Sequence, residues 1–247
     1  MNQKCNPGLV TFERKDIKPR YLEQATREFS YHFQTKRVYI IDIFRLIVDS
    51  KYWSKRTLKI NIEDWKKSFF KSYEPLLVSE IIELVVKWFN RCKYDSDITD
   101  LRGFLVESLV MAYVRKNNKI NMYGTNFGWG AEVTIHPSSG KRTVEYICTN
   151  PTPRYECKDR HTVDIGIWDG EKGKFYECKV NPARIGCPEV KYMDELSRNL
   201  SDCEISHEIF FAFANSSDNV TMRIADYDSD FRFTLIGAEE LSKMLSA

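Results

Sequence analysis

The sequence has few turn-forming residues and no long apolar run, and these absences exclude several classes of protein. Glycine and proline account for only 19 of its 247 residues, which excludes collagen-like and low-complexity chains. No window approaches the roughly 18 consecutive apolar residues of a membrane-spanning helix, and the start, Met1 to Gly8, has no apolar signal-peptide core. With 43% hydrophobic residues available for a core, we expect a globular cytoplasmic protein with no membrane partner.

Cysteine pairs with the short C-x-x-C spacing are also absent. The seven cysteines are odd in number and mostly far apart, which favours reduced thiols over a disulfide framework. Four of them could surround a zinc ion, namely Cys148, Cys157, Cys178 and Cys187. Their spacing lacks the closely spaced ligand pairs that are typical of structural zinc sites. Ordinary packed or surface thiols are the alternative that this spacing favours.

The sequence has little net charge, +2, but its basic and acidic residues are unevenly distributed along the chain. The first 98 residues hold six more basic than acidic side chains, and the remainder holds four more acidic than basic ones. This division suits a protein whose basic part attracts a polyanion while its acidic part gathers cations. The lysines Lys66, Lys67 and Lys71 form either a solvated face or a phosphate-contacting surface.

The first hundred residues show apolar positions three and four apart, which predicts helices. These helices are Tyr21–Phe33, Val38–Tyr52, Ile62–Tyr73 and Pro75–Cys92. A polar break at Asp95–Asp100 precedes another predicted helix, Leu101–Lys116, and we place a module boundary at this break. Residues 1–98 are thus predicted to be a helical N-terminal module that contacts substrate or a partner, and residues 99–247 a second domain.

The second domain changes to short β-rich stretches between turn formers, which predicts an α/β (α+β) fold. The predicted strands are Ala131–His136, Thr143–Ile147, Thr162–Trp168, Lys174–Val180, His207–Ala214, Val220–Ile224 and Phe231–Leu235. Two helices are predicted among and after them, at Pro188–Leu200 and Ala238–Leu245.

Two adjacent strands carry the residues with the clearest chemistry. Alternation along the first strand places Asp164 on the face opposite its apolar neighbours, and alternation along the second places Glu177 and Lys179 on one face. The tight turn at Asp169–Gly173 makes the strands antiparallel neighbours, so the two carboxylates can approach closely around a cation. Oxygen ligands of this kind suit Mg²⁺ or Mn²⁺, and a nearby ammonium can orient a water for attack on phosphorus.

This pattern resembles the PD-(D/E)xK nuclease superfamily over roughly Leu101 to Ala214. The resemblance implies a restriction-endonuclease-like core, in which a mixed central sheet is flanked by helices. It implies that Asp164 and Glu177 hold the metal, that the Cys178 backbone carbonyl completes the protein ligands, and that Lys179 positions the water. Glu107 matches the helical acid of the family, as a further catalytic residue and metal or water ligand.

The resemblance implies an enzyme, a divalent-metal-dependent nuclease (hydrolase) that acts on nucleic acid, on DNA in preference to RNA, in restriction, phage defence or mobile-element biology. Because cutting two strands requires two sites, it also implies a homodimer or a partner subunit. The alternative is a nucleic-acid-binding or assembly subunit that keeps the fold and cleaves nothing. A third interpretation makes Asp164, Glu177 and Lys179 an ordinary charge cluster on a solvated sheet face.

Several neighbouring residues allow a site role or a structural one. His161 is favoured as a loop histidine over a general base. The residues Glu189, Lys191 and Tyr192 could approach the site, but the sequence favours a surface position for them. The aromatics Tyr123, Phe127 and Trp129 form either a base-stacking loop or a packed turn.

Overall fold

The computed structural model describes residues 9–117, 126–148, 159–216, 224, 227 and 233–246. The chain folds into two compact units. The sheet unit comprises Met1–Ile17 and Val114–Ala238, and the helical unit comprises Lys18–Tyr113 and Glu239–Ala247.

The sheet unit is built on a mixed sheet of seven strands within the described residues. The strands are β1 (Val10–Arg14), β2 (Phe127–Ile135), β3 (Arg142–Thr143), β4 (Val163–Trp168), β5 (Lys172–Lys179), β6 (Ser206–Phe213) and β7 (Thr234–Ile236). Their order is β1-β2-β4-β5-β6-β7, and β3 pairs with β2 outside this path. The expected α/β class is therefore confirmed.

The sheet changes from antiparallel to parallel at β5. The pairs β1–β2, β2–β4 and β4–β5 are antiparallel, whereas the pairs β5–β6 and β6–β7 are parallel. A parallel pair cannot be joined by a tight turn, and helix α6 (Cys187–Asp202) makes the crossover between β5 and β6. Apolar residues of α6, including Val190, Met193 and Leu196, are buried in the core of this unit.

Among the described residues, the helical unit contains five α-helices between β1 and β2 and one more after β7. They are α1 (Arg20–Thr35), α2 (Ile40–Asp49), α3 (Leu58–Ser72), α4 (Pro75–Arg91), α5 (Asp95–Asn117) and α7 (Ala238–Ser246). The predicted helices of this region are confirmed, and most ends differ by a few residues. The predicted polar break Asp95–Asp100 is wrong as a break, because these residues form the first turns of α5. No described helix is long and apolar enough to cross a membrane.

The module boundary lies elsewhere than the sequence indicated. Strand β1 pairs along its whole length with β2, from Val10 opposite Ile135 to Arg14 opposite Ala131. Helix α5 remains with the helical unit as far as Tyr113. A division between residues 98 and 99 therefore separates β1 from its sheet and α5 from its helices, because polar breaks mark the start of a helix and not the partner it packs against.

Three predicted strands need correction or lie partly outside the described residues. The predicted strand Thr143–Ile147 reduces to β3, followed by one isolated bridge between Tyr146 and Arg160. The prediction Val220–Ile224 lies outside the described residues except for Ile224, and Phe231–Leu235 overlaps β7 only at its end.

Candidate functional site

Asp164 and Glu177 meet where β4 and β5 lie side by side. The pairing of Ile165 with Tyr176 puts Asp164 and Glu177 at the next position of the antiparallel ladder. The Asp164 side chain is partly accessible, and its Oδ2 accepts a hydrogen bond of 2.7 Å from the backbone N–H of Cys178. This bond fixes the carboxylate against β5 and leaves Oδ1 directed at other partners.

Glu177 and Lys179 form a close ion pair on the same face of β5. Lys179 Nζ lies 2.7 Å from Glu177 Oε1, and the Glu177 side chain is fully buried. That oxygen has the ionic contact but accepts no hydrogen bond of acceptable geometry, so its lone pairs are poorly used. A fully buried carboxylate excludes the interpretation of these residues as a cluster on a solvated sheet face.

Arg160 lies between the carboxylates. Its Nη2 is 2.5 Å from Glu177 Oε2 and 3.3 Å from Asp164 Oδ1. Its Nη1 is 3.4 Å from Glu189 Oε1, and its Nε donates to the backbone oxygen of Thr162 at 3.1 Å. Because Asp164 and Glu177 both contact one nitrogen atom, their predicted proximity is confirmed.

Helix α6 contributes a third acid from its first turn. Glu189 Oε2 accepts a hydrogen bond of 2.8 Å from the backbone N–H of Gly186, which stabilises the start of the helix. Its Oε1 lies 3.1 Å from Lys179 Nζ. One turn further, Tyr192 is fully buried, and its hydroxyl has no hydrogen-bond partner among the described residues. A surface position is therefore wrong for Glu189 and Tyr192, because the crossover helix packs its first turns against the sheet.

The electrostatics of the cluster favour the charged forms of Arg160 and Lys179 and disfavour the ionised form of Glu177. Burial raises the pKa of Glu177 to about 7, although Arg160 acts to lower it. Burial disfavours the charged form of Lys179, but Glu177 and Asp164 outweigh this effect and raise the pKa of Lys179 above its usual value. Burial opposes ionisation of Glu189 too, and Lys179 and Arg160 nevertheless lower its pKa.

The roles predicted for two further site residues, Glu107 and Cys178, are not tested by the geometry of the cluster. Glu107 is a partly exposed residue of α5, in the helical unit, and its role as an additional acid stays a prediction. The Cys178 side chain is buried, and the use of its backbone carbonyl as a ligand also stays a prediction. His161 is about half exposed, with Nδ1 3.6 Å from Glu145 Oε2.

The structure partly answers whether the aromatic residues pack or stack on bases and whether the cysteines could bind zinc. Trp129 is buried in β2 with the Arg14 guanidinium 4.0 Å from its ring centroid, which makes it a packing residue. Tyr123 and Cys157 lie outside the described residues. Cys187 Sγ is 3.5 Å from the hydroxyl of Tyr146. Among the described residues, no group of three or more His, Cys, Asp or Glu side chains is arranged to hold a metal ion.

The donor atoms nevertheless fit a hard divalent cation in their chemistry. Carboxylate oxygens of Asp164 and Glu177 converge on one positively charged atom, the Nη2 of Arg160. Mg²⁺ and Mn²⁺ prefer such oxygen ligands, and Glu177 Oε1 retains unused acceptor capacity. The residues therefore fit a divalent ion on the condition that the guanidinium moves aside.

Sequence reasoning missed Arg160, although a signal for it exists. Arg160, Thr162 and Asp164 are spaced by two residues, and such residues share one face of an extended chain. Extending the alternation of β4 toward its N-terminus would have placed Arg160 beside Asp164. The pattern was hard to see because Arg160 precedes the apolar run that defines the strand.

Comparisons with known proteins add little. No family model matches the chain, and no curated protein sequence matches it. Among solved structures, the chain is similar to the crystal structure of protein VC1899 from Vibrio cholerae, with 11% identity and a TM-score of 0.44. The similarity covers 96% of this chain and 57% of that chain, so this chain spans just over half the length of VC1899. At this level the similarity supports no argument about function.

Proposed function

We propose that the chain is a divalent-metal-dependent nuclease that hydrolyses phosphodiester bonds, in DNA in preference to RNA. The observation that carries the proposal is that Asp164 and Glu177 both contact Nη2 of the Arg160 guanidinium, with the Lys179 ammonium 2.7 Å from Glu177. Two acids and a lysine, held by neighbouring strands, are the set that the PD-(D/E)xK resemblance implies.

The order of elements supports a restriction-endonuclease-like core. Helix α5 is followed by β2, β4 and β5, which form an antiparallel run in the sheet, and then by α6 and the parallel strand β6. The PD-(D/E)xK resemblance implies this order: a helix that carries an acid, a strand with Asp, a strand with Glu-x-Lys, a helix and a further strand. Asp164 lies on β4 and the pair Glu177 and Lys179 on β5.

In this proposal the protein's residues have separate tasks. Asp164 and Glu177 hold the cation with their carboxylates, and the hydrogen bond from the Cys178 N–H orients Asp164. A bound Mg²⁺ or Mn²⁺ would supply Lewis-acid activation of the phosphate and of the attacking water. Lys179 orients that water through its ammonium, which lies 2.7 Å from Glu177 Oε1. Nucleic acid is the proposed partner, joined by a second copy or another subunit where both strands are cut.

The test is cleavage by the purified chain. Linear, circular and single-stranded DNA and RNA are incubated with Mg²⁺, with Mn²⁺ and with a chelator. We expect metal-dependent cleavage that falls by roughly a hundredfold or more in Asp164→Asn, Glu177→Gln and Lys179→Met. The matched control is Glu171→Gln, an exposed acid in the turn between the same two strands. Cleavage that persists unchanged in Asp164→Asn would contradict the proposal.

The position of Arg160 favours a second candidate, a nucleic-acid-binding subunit that keeps the fold and cleaves nothing. A guanidinium that contacts three acids balances part of their charge without any metal. This candidate predicts nucleic-acid binding that is unaffected by chelator and no cleavage with any of the four substrates. The two candidates therefore differ in the same experiment.

A further inference from the structure

The unusual feature of the cluster is that one side chain contacts all three acids. Arg160 reaches Glu177 at 2.5 Å, Asp164 at 3.3 Å and Glu189 at 3.4 Å. Lys179, the other base, contacts Glu177 and Glu189. Arg160 is therefore the base that bridges the two proposed metal ligands.

Arg160 uses the same carboxylate oxygens that a cation would need. Its Nη2 contacts Asp164 Oδ1 and Glu177 Oε2, and the other oxygen of Asp164 is already bonded to the Cys178 N–H. An oxygen lone pair that accepts a hydrogen bond from the guanidinium is not available to a metal. A metal ion bound by these two oxygens would lie close to the position of Nη2 and carry the same sign of charge, so the guanidinium and the metal compete for this position.

The backbone of Arg160 is held in place, and its side chain is not completely enclosed. Two hydrogen bonds of 2.8 and 2.9 Å join the backbone of Arg160 to that of Tyr146. The side chain is 16% exposed. Because arginine has a long, flexible stem, the guanidinium can swing out while the backbone bridge stays in place.

We propose that Arg160 holds the carboxylates together in the metal-free protein and that a divalent metal ion displaces its guanidinium. The inference rests on the proposed function, because it assigns the metal to Asp164 and Glu177. Arg160 is then a positioning residue that keeps two like charges in place until the metal arrives. It also weakens metal binding, since the metal must break three ionic contacts to enter.

The test is the affinity for Mn²⁺ alone, measured by isothermal titration calorimetry and by the electron paramagnetic resonance signal of free Mn²⁺. We expect Arg160→Gln to bind Mn²⁺ roughly tenfold or more tightly than the wild type, because the competing cation is gone. Lys179→Gln is the charge-matched control, since it removes one positive charge from the cluster without emptying the position between Asp164 and Glu177. Arg142→Gln controls for loss of an arginine in the same unit, where Arg142 contacts Asn199 and Asp202.

The outcomes separate this inference from the proposed function. A larger gain in Arg160→Gln than in Lys179→Gln supports displacement. Equal gains in Mn²⁺ affinity in the two variants mean that only net charge matters. An unchanged or weaker Mn²⁺ affinity in Arg160→Gln means that the guanidinium does not compete with the metal. Either result overturns the inference. The proposed function survives both results if wild-type binding is lost in Asp164→Asn. Absence of Mn²⁺ binding in every variant and in the wild type overturns the inference and the proposed function together.

A variant that is unstable without metal still gives an answer. Removing Arg160 leaves three clustered acids without their shared partner, so Arg160→Gln is expected to lose stability in chelator. Thermal unfolding with and without Mn²⁺ then measures the competition directly. A larger rise in Tm with Mn²⁺ in Arg160→Gln than in the wild type supports displacement, and an equal or smaller rise overturns it.

Discussion

Gly166 in β4 lies directly beneath the aromatic ring of Phe12 in β1. A Cβ atom at this position would be 2.2 Å from Cε1 of Phe12, closer than real carbon atoms approach. We therefore expect Gly166→Ala to destabilise the sheet unit by about 1–3 kcal/mol, because the ring must move out of a packed position. Urea unfolding followed by circular dichroism measures the change in the free energy of unfolding.

Gly103 provides the matched control for this substitution. It lies inside α5, and a Cβ atom there would meet no other atom within 4 Å. We expect Gly103→Ala to stabilise the protein by about 0.5–1 kcal/mol through the higher helix propensity of alanine. If Gly166→Ala unfolds at the same urea concentration as the wild type, the placement of Phe12 over β4 is wrong.

At the residue scale, strand alternation predicted that Asp164 and Glu177 lie close together, but it did not predict that the Arg160 guanidinium lies between them. Asp164, Glu177 and Lys179 were predictable because side-chain direction in a strand follows directly from the backbone. Glu189 was not, because its inclusion depends on how α6 packs against β5, and Arg160 was predictable only by extending the alternation of β4 past its apolar run. The burial of Glu177 likewise follows from the layer above the sheet and not from its own strand.

At the element scale, α1 and α2 are joined by a buried histidine. His32 of α1 contacts the hydroxyl of Tyr39, which immediately precedes α2, and its Nδ1 lies 3.6 Å from Glu80 of α4. Burial lowers the pKa of His32 to about 4, although Glu80 acts to raise it. The histidine is therefore neutral in the folded protein at neutral pH.

This lowered pKa predicts acid sensitivity of the helical unit. Between pH 6.5 and 4 the unfolded chain binds a proton at His32 and the folded chain does not, so stability falls as the pH falls through this window. We expect His32 to contribute up to about 3 kcal/mol to this loss. Thermal unfolding across the pH range should show a shallower acid slope in His32→Gln than in the wild type, with the exposed His161→Gln as control. Identical slopes in all three proteins would refute the assignment.

Elements with strong internal periodicity were predicted, and elements defined by their partner were not. Helices α1 to α6 and strands β2 and β4 to β6 carry their own apolar pattern. Strand β1 was missed because a segment of only five residues becomes a strand when β2 supplies the hydrogen-bond partners. The predicted strand Thr143–Ile147 was shortened for the same reason, since the chain leaves β2 after two paired residues.

At the scale of the whole molecule, the first strand of the chain completes a sheet whose other strands come after the helices. A chain that begins at Lys18 lacks β1 and its buried Val10, and it exposes the backbone edge of β2. We expect this chain to lose about 3 kcal/mol or more of stability in the sheet unit. Circular dichroism and urea unfolding of the shortened chain measure the loss.

Complementation distinguishes a missing strand from a general effect of truncation. A synthetic peptide of residues 9–17 is expected to restore the unfolding midpoint of the chain that begins at Lys18. The same peptide with Val10→Asp should fail, because Val10 is fully buried against the sheet. A shortened chain with the wild-type midpoint, or equal rescue by both peptides, would show that β1 is not needed.

The sequence by itself determined the helices, most strands and the face on which Asp164, Glu177 and Lys179 lie. These features depend on the backbone repeat, which is local. Only the tertiary structure decided that β1 joins a distant strand and that Arg160 bridges the acids together with Glu189. The physical reason is that pairing and burial depend on which segments meet, and the free energy of a buried charge depends on every neighbour that packing brings to it.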